Sequence, residues 1–216
     1  MDERGAGQIF QLYLDGAEII TGALAEPAVG EAWHRPSVLE DQLVGGLAGH
    51  LARGGVWVVE DYLRTTDAAG PIDFESAAQY FATLMSAVTA DDHQAIRDRG
   101  AALAALGQRE LVEMLVGRLA AVRTTLGAVA PDHRISVSGG NGMRLGDYLV
   151  TRVVEQVVHM DDLARSIGGE PWPMPEEAVR LAIRVGAEIG ALRHGAAPMV
   201  RALYRRGFAD GPLPVL

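Results

Sequence analysis

Apolar side chains recur along most of this chain at the three-to-four-residue spacing of amphipathic helices. Ile9, Leu12, Tyr13, Ile19 and Ile20 predict a first helix ending near Gly22, followed by a connection that carries Pro27, Gly30, Trp33 and Pro36. Ser37-Val38-Leu39-Glu40 reads as a capping box, so a second helix is expected from Ser37 to about Leu63, with His50 near its middle. Pro71-Ile72-Asp73 opens a third, with Asp73 as its cap, running through Tyr80, Phe81, Leu84, Met85 and Val88 as far as Leu106, where Gly107 breaks it. A fourth spans about Arg109 to Leu126. Arg134 to Val137 alternate like a short strand, and Ser138-Gly139-Gly140-Asn141-Gly142 reads as a turn into a helix from about Arg144 to Ile167 that stops at Gly168-Gly169. A last helix is expected over Glu176 to Leu192, with a tail through Arg201 to Phe208.

Helices joined by mostly short connections, with at most one short strand, predict an all-α, up-and-down four-helix-type bundle with one or two extra helices. The division expected is a bundle over residues 1–170, with a C-terminal helix and tail over residues 171–216 packed on it.

Composition narrows the function. The 216 residues carry a net charge of -9, and all 19 basic residues are arginines, with no basic stripe to follow a phosphate backbone; nucleic acid is not an expected partner. No run approaches the ~18 apolar residues of a membrane span, and the acidic start Met1-Asp2-Glu3 has no signal pattern, so a cytoplasmic protein is expected, as monomer or homodimer. Cysteine is absent, which removes disulfides, thiolate metal sites and a protein-borne thiol nucleophile together.

The chemistry concentrates at Glu155 and His159, four apart in an apolar run of valines and leucines, where helical spacing puts both on one face. His50, polar among Leu47, Ala48, Gly49 and Leu51, is a third donor on another apolar helix. Two imidazoles and a carboxylate suit a zinc-like ion with one coordination position open. The same residues also suit a hydrogen-bonded core pair and a lone core histidine, and spacing alone does not choose.

Three stretches resemble the mycothiol-dependent maleylpyruvate isomerase N-terminal domain family, of the DinB-like metal-binding bundles. They are Trp33-His34-Arg35-Pro36-Ser37, Gly45 to Ala52, and Arg144 to Leu163 with its Glu-x-x-x-His-x-x-Asp-Leu pattern. The Pro-Gly-Trp common ahead of the histidine in that family is here Glu40-Asp41-Gln42-Leu43. The resemblance implies that His50, Glu155 and His159 bind zinc or another divalent metal. It implies mycothiol as thiol cosubstrate and a small electrophile as substrate, in a thiol transferase or isomerase reaction. A metal-dependent hydrolase, or a non-catalytic metal-binding or stress-response module, is the alternative on the same scaffold.

Asp162, three residues past His159, is placed to orient that histidine through its other ring nitrogen, or else is a solvated helix-end acid. Arg152, one turn before Glu155, and Arg53, one turn past His50, are placed either to clamp an anionic substrate or to form surface ion pairs. His34, His93, His133 and His194 have no partner at ligand spacing and are expected at the surface. Trp33 is expected to staple the second helix, and Trp57, Tyr62 and Tyr148 to serve as core or pocket wall. Because a ligand histidine must be neutral, metal affinity is expected to fall below roughly pH 6.5, the unperturbed histidine value.

Overall fold

A computed structural model describes residues 3–64, 70–87 and 89–205, with side chains left aside at residues 3–6, 85 and 86. The described chain is an all-α bundle with one small hairpin. α1 (Glu3–Leu24) leads through the short α2 (Pro27–Glu31) into a long rod made of α3 (Val44–His50), a π-helical segment (Leu51–Trp57) and α4 (Val58–Arg64). α5 (Ala77–Ala87) and α6 (Ala90–Ala104) precede α7 (Gln108–Leu126). Strands β1 (Arg134–Ser136) and β2 (Gly142–Arg144) then feed α8 (Leu145–Ile167), α9 (Glu176–His194) and α10 (Ala196–Tyr204).

The central four members are α1, the rod, α7 and α8: α1 packs on α7 and α8, and the rod packs on the same two helices. Their shared interior holds Tyr13, Ile20, Leu47, Leu51, Leu115 and Leu149, all at most 1 % exposed. The sequence periodicity of each helix points these residues inward, and burying them is the main force that assembles the helices. α9 lies on α8 and α5, and α10 on α9. Among the described residues no helix is long and apolar enough to cross a membrane.

Several expected boundaries move. The second helix starts at Val44, not Ser37: the Ser37 amide donates to the Gln42 carbonyl at 2.8 Å, Pro36 bridges Leu43, and Asp41 takes a left-handed φ of 57°, so residues 37–42 close a loop. The Ser37 hydroxyl accepts from the Leu39 amide within that loop, and no capping box forms.

The expected third helix is two. Thr89 and Asp92 cap α6 reciprocally, the Thr89 hydroxyl accepting from the Asp92 amide and the Asp92 carboxylate accepting from the Thr89 amide at 2.9 Å. Asp73 is not the cap of α5; its carboxylate accepts from the Gly142 amide at 2.7 Å, tying the loop to β2, while the Ser76 hydroxyl accepts from the Gln79 amide. Val88, which the expected helix included, lies outside the described residues, as does the Met85 side chain.

The strand-like stretch does pair, with Ile135 opposite Met143, and the glycine loop makes the turn with φ 74° at Gly139 and 81° at Gly140. Gly168, in the left-handed region at φ 71°, ends α8 as the sequence indicates. Gly195, at φ 92°, breaks α9 from α10, a helix that the sequence reading leaves as tail; residues 206–216 lie outside the described set.

Candidate metal centre

His50 is the last residue of α3, and Glu155 and His159 stand one turn apart on α8. Packing of the rod on α8 brings the three together: His50 Nε2 lies 3.3 Å and His159 Nε2 3.4 Å from the same oxygen, Glu155 Oε2. The rings meet edge to face with centroids 4.8 Å apart. Donors around a tetrahedral ion at zinc–nitrogen and zinc–oxygen lengths stand about 3.3–3.4 Å from one another. Both separations match that edge. One donor atom from each residue lies within 4.8 Å of the others, and among the described residues no other trio of acidic or histidine side chains gathers so closely. The three side chains could therefore hold a metal ion.

The surroundings tune the donors. Burial by itself would push the Glu155 carboxyl up, but the bonds to His159 and His50 and the charge of Arg152 outweigh it and hold the group well below the usual carboxylate range. Burial likewise would lower His159, yet its bonds to Asp162 and Glu155 raise it to about 9 in the metal-free protein. Asp162 Oδ2 sits 3.0 Å from His159 Nδ1, the orienting position expected from the sequence. One turn on, Ser166 donates to the Asp162 backbone carbonyl at 2.6 Å, and Arg165 Nη1 lies 3.9 Å from the other carboxylate oxygen of Asp162.

Arg152 is not at the surface. It is 7 % exposed, donates to the Thr151 hydroxyl and to the Gly54 carbonyl at 3.0 Å each, and lies over the Tyr148 ring at 4.9 Å. Among the described residues no carboxylate lies within ion-pair distance of it. Arg53 does make the surface-type pair, 3.6 Å from Asp61 with both side chains about one-third exposed. The two arginines nevertheless border one cleft of about 360 Å³, together with His50 and Glu155.

Part of the lining of that cleft is aromatic. Tyr62, Tyr80 and Tyr148 stack edge to face, with ring centroids 5.2 Å apart for Tyr62 and Tyr148 and 6.1 Å for Tyr80 and Tyr148. Burial first of all pushes the Tyr80 hydroxyl up to about 12, so it stays protonated. Trp57 is core at 4 % exposed. Trp33 packs its indole under Gly45 and donates to the Ala104 carbonyl, so it links the rod to α6 rather than only stapling the helix start. His34, His93, His133 and His194 are exposed.

Sequence reasoning missed three contributors. Tyr80, which the sequence places only on the third helix, lines the cleft. Arg99 borders the cleft from α6, which the sequence merges into α5. Gln156, wholly buried beside Glu155, was passed over although an amide inside Val-Val-Glu-Gln-Val-Val is itself a signal.

A family model described as the Mycothiol maleylpyruvate isomerase N-terminal domain matches residues 14–164. The chain belongs to that family. The matched span runs from α1 through α8 and contains all three donors. No curated protein and no solved structure matches the chain.

Proposed function

We propose that the protein is a cytoplasmic, zinc-dependent enzyme that uses mycothiol to transfer a thiol to, or isomerise, a small electrophilic substrate in the cleft beside His50. The observation that carries this reading is the oxygen of Glu155 shared at 3.3 and 3.4 Å by His50 and His159, with Glu155 and His50 lining that cleft, in a chain without a cysteine. A divalent ion bound there supplies the Lewis acidity that keeps a thiol as its thiolate at neutral pH.

The chain's own residues supply position and charge. Asp162 takes the hydrogen bond from His159 Nδ1, which leaves Nε2 with its lone pair toward the centre. Arg152, buried without a carboxylate partner among the described residues, meets an anionic group of the substrate, and Arg53 at the rim adds to the positive potential. Tyr62, Tyr80 and Tyr148 exclude water and offer ring faces to a planar, unsaturated carbon skeleton. In an isomerisation the sulfur adds to the electron-poor carbon, the former double bond rotates, and elimination returns the thiol; in a transfer the sulfur–carbon bond remains, and the adduct either takes a proton from solvent at the neighbouring carbon or, with an aryl halide, expels halide ion.

Turnover of maleylpyruvate and of an aryl halide by the zinc-loaded protein, with and without mycothiol, tests the reading. Thiol-dependent turnover abolished by chelator and by His159→Ala is expected. Turnover in thiol-free buffer would make the protein a hydrolase. Metal uptake with no turnover of either substrate would leave a binding module.

A further inference from the structure

We propose that Gln156 is a positioning residue: with Tyr13 and Arg152 it holds the π-helical turn after His50, and so sets where His50 stands against Glu155 and His159 before any ion binds. The inference rests on the metal reading of this site.

The turn is irregular from its first residue. It begins directly after His50, and its ladder is shifted by one residue, the Val58 amide donating to the Arg53 carbonyl five positions back. Such a shift widens the helix and turns carbonyls away from their usual partners. Here three consecutive carbonyls find side-chain donors instead. Gly54 accepts from Arg152 Nη1 at 3.0 Å, Gly55 from Gln156 Nε2 at 2.9 Å, and Val56 from the Tyr13 hydroxyl. Gln156 Nε2 also donates to the Tyr13 carbonyl at 3.1 Å, so one amide joins α1, the rod and α8.

These donors belong to the helix that carries the other two ligands. Arg152 is one turn before Glu155, and Gln156 lies next to it and one turn before His159. The grip on the turn and the carboxylate facing His50 thus come from the same two turns of α8, which fixes His50 relative to its partners without an ion. A ligand set works only when held to about half an ångström.

Stability alone does not account for Gln156. The residue is 0 % exposed, and its Oε1 has no hydrogen-bond partner among the described residues. An unsatisfied buried carbonyl works against folding and offsets part of what the two donated bonds contribute. The chain also keeps α1 bare there, because a Cβ at Gly16 would come 2.2 Å from that oxygen. What the amide contributes is the place of the turn.

The test is cobalt titration of the full metal-free chain, read by the visible absorption of the bound ion, beside the melting temperature of the metal-free protein. Gln156→Leu removes both donated bonds, and Tyr13→Phe removes only the bond to Val56. Gln108→Leu is the control, since Gln108 Nε2 caps the Leu24 and Glu26 carbonyls at 2.8 Å away from the site. Gln156→Leu, which leaves the Gly55 carbonyl without its donor, is expected to melt lower, as Gln108→Leu does, but unlike it to bind cobalt at least tenfold more weakly, with a shifted band. Tyr13→Phe should lose about threefold or more, and decides the matter if Gln156→Leu does not fold. Gln108→Leu should melt lower while keeping affinity and band. Wild-type affinity and band in both Gln156→Leu and Tyr13→Phe would overturn the inference, as would an affinity loss in Gln108→Leu equal to that in Gln156→Leu. A wild type that binds no cobalt overturns the metal reading itself, a result distinct from either.

Discussion

His159 Nδ1 and Asp162 Oδ2 lie 3.0 Å apart, a contact that restrains rotation of the ring about its χ2 axis. Asp162→Asn keeps the size of the side chain and removes the charge that stabilises the Nδ1 proton. Zinc affinity, measured by competition with a chromogenic chelator, is expected to fall about 10–100-fold. The same histidine sets a pH window. Its pKa is raised to about 9 in the metal-free fold, above the ~6.5 of an unfolded chain, so the protonated form favours folding. That contribution is fully present below about pH 6.5 and is lost as pH rises through about 9. Metal binding needs the neutral ring, so affinity should climb across the same window and level off above it. Melts of metal-free protein and zinc titrations between pH 6 and 10 check both slopes; a zinc affinity that is flat from pH 7 upward would show that Asp162 and Glu155 do not hold His159 protonated in that window. The sequence alone places the limit near the unperturbed value, because the Asp162 and Glu155 bonds that raise it belong to the folded site.

At the scale of elements, α6 governs how closely the cleft is covered. Its described contact with the bundle is chiefly with α3, where Gly49 and Gly100 let the two backbones touch: a Cβ on Gly49 would lie 2.4 Å from the Gly100 carbonyl oxygen. Gly49→Ala should push α6 away and cost about 1–3 kcal/mol. Gly117, mid-helix in α7 with nothing within 4 Å of an added Cβ, is the opposite case. Gly117→Ala should stabilise by roughly 0.5–1 kcal/mol. Denaturant midpoints of the two variants should move in opposite directions. That α6 is a separate helix was encoded in Thr89-Ala90-Asp91-Asp92, a capping box as well formed in sequence as Ser37-Val38-Leu39-Glu40. Only the first is used, because the Ser37 amide instead pairs with Gln42 across the loop. Local patterns nominate a cap, and the neighbouring backbone decides whether it forms.

For the molecule as a whole, an ion at His50, Glu155 and His159 cross-links α3 to α8 and binds only the folded chain. It should raise stability by about 2.7 kcal/mol when free metal is a hundredfold above its dissociation constant. Thermal melts at pH 8 with zinc and with chelator are expected to differ accordingly, and His50→Ala should abolish the difference. A chain whose melting temperature ignores zinc at that pH has no such centre. The sequence by itself determined the helical class, because a 3.6-residue apolar repeat leaves no other way to bury those faces, and it determined the Glu155–His159 pair, since four residues are one turn. It also marked Gly107 and Gly168 as breaks, which their positive φ requires. Only the tertiary structure decided that His50, 105 residues from Glu155, completes the set, that Arg152 is buried rather than paired at the surface, and that Gln156 grips the turn behind the ligand. Those outcomes depend on which helix face meets which, and on carbonyls that a π turn exposes to donors from other helices; no spacing within one segment specifies either.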